Sequence, residues 1–84
     1  MKRTFTTTEA RDIGHQIGID FAVVDFEQFR LGLAVELEHE SEYAETNVTN
    51  DDFAMTGKIA WAHLKEIPDY YTRLARMEHD AGVE

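Results

Sequence analysis

The feature that most constrains this chain is Pro68, which interrupts a long segment, 56–78, of helical apolar spacing. Proline has no backbone N–H and its ring clashes with the preceding turn, so a helix does not continue through it. Proline is nevertheless favoured in the first turn of a new helix. The segment therefore predicts two helices separated by a break at Pro68, with the second helix beginning at the proline.

Two more helices are predicted upstream by the residues that begin and end them. Thr6 and Glu9 have the spacing of a capping box, and Gly18 is placed to end the helix that they begin. Asp25 is expected to cap the next helix. One side of that helix carries the apolar residues Phe26, Phe29, Leu33 and Leu37.

The opposite side of this second helix is also apolar, because Leu31 and Val35 fall there, so we expect it to be contacted on two sides. The connector before it, 20–24, is expected to bury Phe21 and Val23. Residues 31–39 also alternate in the manner of a strand. No other segment offers a partner strand, and a lone strand leaves its backbone amides unpaired, so a helix is favoured.

A third helix is predicted after a polar loop, with Asn50, Asp51 and Asp52 as candidate caps. One broad side of it carries Met55, Ile59, Ala62, His63 and Glu66. Another side carries Phe53, Ala60, Leu64 and Ile67. These two sides predict a largely enclosed helix. The stripe of the fourth helix is Tyr70, Leu74 and Met77, and Gly82 is expected to end it.

The predicted fold is therefore all-α, a small compact bundle of about four helices in one domain, 1–84, with frayed ends at 1–5 and 80–84. The chain has no cysteine, so disulfides and thiolate metal sites are excluded. No signal peptide follows the first charged residues, and the apolar runs are too short to cross a membrane. A cytoplasmic protein is expected.

The net charge of −9 is concentrated in the middle of the chain. Residues 25–52 carry nine acidic side chains against Arg30 alone, so this segment holds −8 of the total. Binding to a phosphate backbone requires clusters of Lys and Arg, so direct nucleic-acid binding is not expected. The acidic segment suits a cation or a basic protein partner, or serves solubility alone.

Two histidine–glutamate pairs are candidate metal ligands. Residues three apart on a helix lie on neighbouring sides, close enough for both side chains to reach one ion. The pairs are Glu36 with His39 and His63 with Glu66, and Glu40 and Glu78 are the candidates for further carboxylates. Such a ligand set would suit zinc, iron or manganese. The alternative is that these are hydrogen-bonded or solvated side chains.

Candidate partner-binding residues are Glu38, Glu42, Glu45 and Tyr71. The glutamates belong to an acidic run that would attract a basic protein surface, and its alternative is a solvated face. Tyr71 would anchor a partner if it were exposed, whereas Tyr70, Tyr71 and Trp61 otherwise pack with their polar atoms at the surface.

Several segments of the chain are similar to a family of small bacterial and phage-associated proteins of unknown function. The segments are 35–39 (VELEH), 46–49 (TNVT), 56–60 (TGKIA), 62–64 (AHL) and 68–74 (PDYYTRL). The similarity covers about the last two-thirds of the chain. It implies a self-contained helical domain, and it brings no activity, cofactor or catalytic residue.

Three functions are compatible with these observations. The first is an interaction module that binds another macromolecule, the second is a metal-binding protein, and the third is a phage-type inhibitor that mimics nucleic acid. No serine or cysteine is placed beside a histidine in the pattern of a nucleophile, which favours binding over catalysis. A homodimer is also expected, because two helices have apolar residues on more than one side.

Overall fold

Four α-helices form the protein in the computed structural model, which describes residues 4–42, 44–47 and 52–82. They are α1 (Thr7–Ile17), α2 (Phe26–Glu42), α3 (Phe53–Glu66) and α4 (Tyr70–Asp80), with a short 3₁₀ helix (Ala44–Thr46) after α2. The described residues contain no strand. The predicted all-α bundle is therefore confirmed, and residues 31–39 lie inside α2 rather than in a strand.

The predicted caps begin three of the helices. At α1, the Glu9 amide donates to Thr6 Oγ1 over 3.1 Å and the Thr6 amide donates to Glu9 Oε1 over 2.9 Å. Asp25 accepts from the amide of the residue three positions on over 3.0 Å, and Asp52 does the same at α3. Gly18 ends α1 with a φ of 91°, which glycine adopts without strain. Asn50 and Asp51 lie outside the described residues.

The break at Pro68 is confirmed, but α4 begins two residues later than predicted, at Tyr70. Asp69 precedes the helix and makes no side-chain cap. The capping hydrogen bonds come instead from Gln28 of α2, whose Oε1 accepts from the Tyr71 amide over 3.0 Å. Its Nε2 donates to Thr72 Oγ1 over 2.7 Å. Gln28 therefore satisfies an amide that the first turn of a helix leaves unpaired, and it attaches α4 to α2.

The core lies where α1, α2 and α3 meet. Its buried apolar side chains are Phe5, Ala10, Ile13, Ile19, Phe29, Leu33, Leu37, Ala60, Leu64 and Tyr71. Helix α3 buries one face only, through Thr56, Gly57, Ala60 and Leu64. The predicted enclosure of α3 is wrong, because Met55, Ile67 and Phe53 are exposed. Three of the four buried residues are small, and a Cβ at Gly57 would lie only 3.0 Å from the Ile13 side chain of α1.

Four further expectations about burial are corrected. Val23 is 82% exposed rather than buried, and the neighbouring Val24 is the one that packs against the core. Leu31 is 44% exposed, so of the second apolar side of α2 only Val35 packs against the core. Met77 of the predicted α4 stripe is also exposed. Phe5 is buried rather than frayed, with its ring edge-on to Phe53.

At the C-terminal end, α4 runs as far as Asp80, the first residue of the segment expected to fray. Residues 1–3, 83 and 84 lie outside the described residues. In the part of the chain that the structure describes, no helix has the length and apolar character needed to cross a membrane.

Candidate functional site

A groove of about 500 Å³ runs between the second half of α2 and α4. Helix α3 contributes His63 to it. The remaining lining residues are Val35, Glu36, Glu38, His39 and Glu42 from α2, and Tyr70, Leu74, Met77 and Glu78 from α4. Of the ten described residues that line the groove, four are glutamates and none is Lys or Arg. We call this the acidic groove.

A hydrogen-bonded network joins three helices at the acidic groove. The Tyr71 hydroxyl donates to Glu36 Oε2 over 2.7 Å. His63 Nδ1 lies 2.9 Å from the same oxygen and 3.2 Å from the Tyr71 hydroxyl oxygen. The shorter distance and the charge of the carboxylate identify Glu36 as the acceptor of the His63 N–H. Glu36 is a buried carboxylate, and its two donors compensate for the loss of water.

The contact with Glu36 fixes the tautomer of His63. When Nδ1 carries the proton that it donates to Glu36, Nε2 of the neutral ring is left as a hydrogen-bond acceptor or metal ligand. The imidazole also stacks on the Tyr70 ring, with centroids 4.4 Å apart and planes 18° from parallel. The side chain of His63 remains 37% exposed. The site therefore presents an oriented, solvent-accessible imidazole.

The Tyr71 ring packs directly against a glycine of α2, Gly32. A Cβ at Gly32 would overlap the Tyr71 ring, so only glycine allows the ring to lie this close to α2. Burial raises the pKa of the Tyr71 hydroxyl, and the hydrogen bond and negative charge of Glu36 raise it further. Tyr71 is only 4% exposed, so its predicted role as an exposed anchor for a partner is wrong.

The predicted metal ligands are only partly brought together. One residue from each predicted pair, Glu36 and His63, is in direct contact across α2 and α3. His39 lies in the same groove, whereas the exposed Glu66 does not line it. Of the two further carboxylates, Glu78 lines the acidic groove and Glu40 does not. Within the described ranges, no three His, Asp or Glu residues are grouped to hold a metal ion.

The predicted partner-binding glutamates are divided by the fold. Glu38 and Glu42 line the acidic groove. Glu45 is exposed on the 3₁₀ helix and does not line it. The acidic run is thus not one solvated face, because it also contains the buried Glu36.

The sequence did not reveal that Gln28 caps α4, or that Glu36 contacts Tyr71. For the contact between Glu36 and Tyr71, the sequence contained one signal. Glu36 lies seven residues after Phe29 and three after Leu33, so it falls on the buried side of α2. A carboxylate on that side requires a hydrogen-bond donor from another element.

Together these features define a small all-α domain with an acidic groove and a carboxylate-oriented histidine. A family model described as "Protein of unknown function (DUF5661)" matches residues 10–80, and the chain belongs to this family. No curated protein and no solved structure matches the chain. The expected membership of an uncharacterised family is thereby confirmed.

Proposed function

We propose that this domain is a cytoplasmic interaction module that binds a basic segment of a partner protein in the acidic groove. The observation that carries the proposal is the lining of the groove, where the residues that the structure describes include four glutamates and no Lys or Arg. Carboxylates arranged around a concave site attract a cationic side chain and hold it more strongly than a flat surface does, because fewer water molecules screen the charges.

The apolar part of the lining favours a Lys or Arg side chain over a small inorganic cation. Val35, Leu74 and Met77 line the groove beside the glutamates. The methylene stem of Lys or Arg packs on such residues while its charged end reaches the carboxylates. Tyr70 offers an aromatic ring, which attracts a cation placed over its face. The combination matches an amphipathic cationic side chain.

The charge of the groove opposes a phosphate ligand, since the four glutamates would repel it. The inhibitor that mimics nucleic acid, and with it the phage association, stays a prediction, because no described contact bears on either.

The proposal predicts that neutralising both walls of the groove weakens binding of a cationic probe. The probe is a fluorescently labelled oligo-arginine peptide, and its dissociation constant is measured by fluorescence anisotropy at low and physiological salt. The double variant Glu38→Gln/Glu78→Gln, with one change on each wall, is expected to raise the dissociation constant about tenfold, because each lost charge pair is worth about 0.5–1 kcal/mol. Added salt should weaken wild-type binding.

The matched control is Glu45→Gln/Glu66→Gln, which removes the same charge from two exposed residues outside the groove. Its dissociation constant should stay within about twofold of the wild-type value. Equal weakening by the two double variants would mean that the peptide responds to net charge alone, and the groove would not be the binding site.

A divalent metal ion is a second candidate ligand, favoured by the geometry of His63. Histidines that bind metals commonly donate their other ring N–H to a carboxylate, which is the arrangement of His63 with Glu36. His39, Glu42 and Glu78 line the same groove and are the candidates for the further ligands. The ion would be zinc, iron or manganese.

The metal candidate predicts stoichiometric metal in protein purified without an affinity tag or chelator, and a melting temperature that falls on addition of EDTA. His63→Gln should abolish metal binding, whereas Glu66→Gln should retain it, since Glu66 does not line the groove. Elemental analysis measures the metal content, and thermal melting measures the effect of EDTA. Metal-free protein whose melting temperature ignores EDTA and added zinc, iron and manganese would exclude this candidate.

A further inference from the structure

A second groove, of about 390 Å³, lies between the connector that joins α1 to α2 and the second half of α3. Its connector wall consists of Gly18, Asp20, Val23, Val24 and Asp25. Its other wall consists of Trp61, Leu64, Lys65 and Pro68. We call this the connector groove. Within the described part of the chain, the two grooves share no lining residue, and most of the lining of the connector groove is apolar.

A protruding apolar side chain stands at the edge of the connector groove. Val23 is 82% exposed, more than any other large apolar residue in the described ranges. Isolated exposed apolar residues are common on protein surfaces. Here the exposed valine adjoins an apolar concavity formed in part by the partly buried Trp61, so one patch contains both a projection and a recess.

The two walls of the connector groove carry opposite charges. Asp20 and Asp25 are fixed on the connector, where their carboxylates accept from the amides of Ala22 and Gln28 over 2.9 and 3.0 Å. Lys65 is on the α3 wall, with its ammonium 4.3 Å from the centroid of the Trp61 ring. Among the described residues, no ion pair joins Lys65 to Asp20 or Asp25. The charges of both walls are thus available to a molecule that enters the groove.

We propose that a second copy of this chain occupies the connector groove through a two-fold symmetric interface. In a two-fold interface the same patch contacts itself, so a projection needs a recess, and a charged residue needs an opposite charge, within that one patch. The connector groove provides a recess for Val23 and, in Asp20, an opposite charge for Lys65. Val23 of each copy enters the groove of the other, and Lys65 of each copy pairs with Asp20 of the other.

This proposal is independent of the binding role of the acidic groove, because the two grooves have no residue in common. The residues proposed to form the interface do not line the acidic groove. A failure of either proposal therefore leaves the other standing.

A charge exchange tests the interface. Lys65→Glu and Asp20→Lys should each weaken self-association at least about tenfold, because each places two like-charge contacts in a symmetric dimer. An equimolar mixture of the two variants should restore the dimer. The glutamate introduced in one chain then faces the lysine introduced in the other, and the second contact is the native pair of Lys65 with Asp20. Sedimentation equilibrium between about 1 µM and 1 mM measures the association.

Circular dichroism melting of each variant shows whether it is folded. Asp20→Asn removes the charge but keeps the oxygen that accepts from the Ala22 amide, so it separates loss of the charge from loss of that hydrogen bond. Val23→Asp should abolish association, whereas Leu31→Asp, at an exposed residue outside the groove, should leave it intact. A wild-type chain that is monomeric up to about 1 mM overturns the proposal. So does a mixture that stays monomeric, or a dimer that Leu31→Asp dissociates and Val23→Asp does not.

Discussion

Replacing Phe29 by alanine is expected to lower the free energy of unfolding by about 3–5 kcal/mol, which is the usual cost of truncating a fully buried phenylalanine. Phe29 has no exposed surface and lies where three helices meet. A Cβ at Gly14 of α1 would contact its ring at 3.5 Å, and a Cβ at Gly57 of α3 would contact it at 3.4 Å. The cavity left by the truncation would therefore be lined by backbone that has little freedom to move.

The measurement is urea unfolding followed by far-ultraviolet circular dichroism. Because small domains are stable by only about 5–15 kcal/mol, Phe29→Ala should move the midpoint sharply toward lower urea or leave the protein partly unfolded in water. Leu31→Ala is the matched control, two residues further along the same helix and 44% exposed. It should cost less than about 1 kcal/mol. Similar losses for the two variants would contradict the assignment of Phe29 to the centre of the core.

The helix starts could be predicted because the signals are local. Thr6, Asp25 and Asp52 each cap through a hydrogen bond to an amide three residues on, so the residues that decide the geometry are adjacent in the sequence. The start of α4 could not be predicted in this way. Its capping side chain is Gln28, which is distant in the sequence and adjacent only in the fold.

The choice of buried face depends on neighbouring helices, and periodicity alone did not define it for α3. Two apolar sides of α3 were expected to be enclosed, and of their residues only Ala60 and Leu64 are buried. The structure also buries Thr56 and Gly57, because α3 and α1 are close enough that a Cβ at Gly57 would lie 3.0 Å from Ile13 Cγ2. A close helix contact selects small residues, and hydrophobicity alone does not reveal it.

The candidate site could be predicted in its residue types but not in its pairing. The spacing of Glu36 and His39 suggested a pair within one helix, yet Glu36 contacts His63 from another helix. That contact depends on how α3 is rotated relative to α2, and the rotation is set by the packing of residues such as Gly57 and Leu64. Periodicity showed only that Glu36 shares the buried side of α2.

Replacing Tyr71 by phenylalanine is expected to lower the free energy of unfolding at pH 7 by about 2–3 kcal/mol, because a buried carboxylate that loses a donor retains the full cost of its lost hydration. The change preserves the buried ring and removes only the hydroxyl, which donates to Glu36 Oε2 over 2.7 Å. Glu36 would then remain buried and keep only the His63 donor of the network. Urea unfolding at pH 7 measures the loss.

The same variant should change how stability depends on alkaline pH. Burial and the nearby Glu36 raise the pKa of Tyr71 above the value of about 10 that tyrosine has in an unfolded chain. Above about pH 10 the unfolded chain therefore releases a proton that the folded chain retains, and stability falls as the pH rises. Below about pH 10 both states hold the proton, so this contribution is constant. Tyr71→Phe should remove this part of the loss of stability at alkaline pH.

Tyr70→Phe is the control for both effects, because it removes a hydroxyl from the adjacent residue and keeps the ring that stacks on His63. No hydrogen bond of the Tyr70 hydroxyl is found among the described residues. This variant should cost less than about 0.5 kcal/mol at pH 7 and should retain the wild-type alkaline loss. Groups other than these two tyrosines affect the wild-type protein and both variants equally, so the change that each variant shows from wild type reports on the hydroxyl it lacks. If the two variants unfold alike from neutral to alkaline pH, the hydroxyl of Tyr71 does not stabilise Glu36, and the orientation of His63 in the acidic groove depends on its own contact with Glu36 alone.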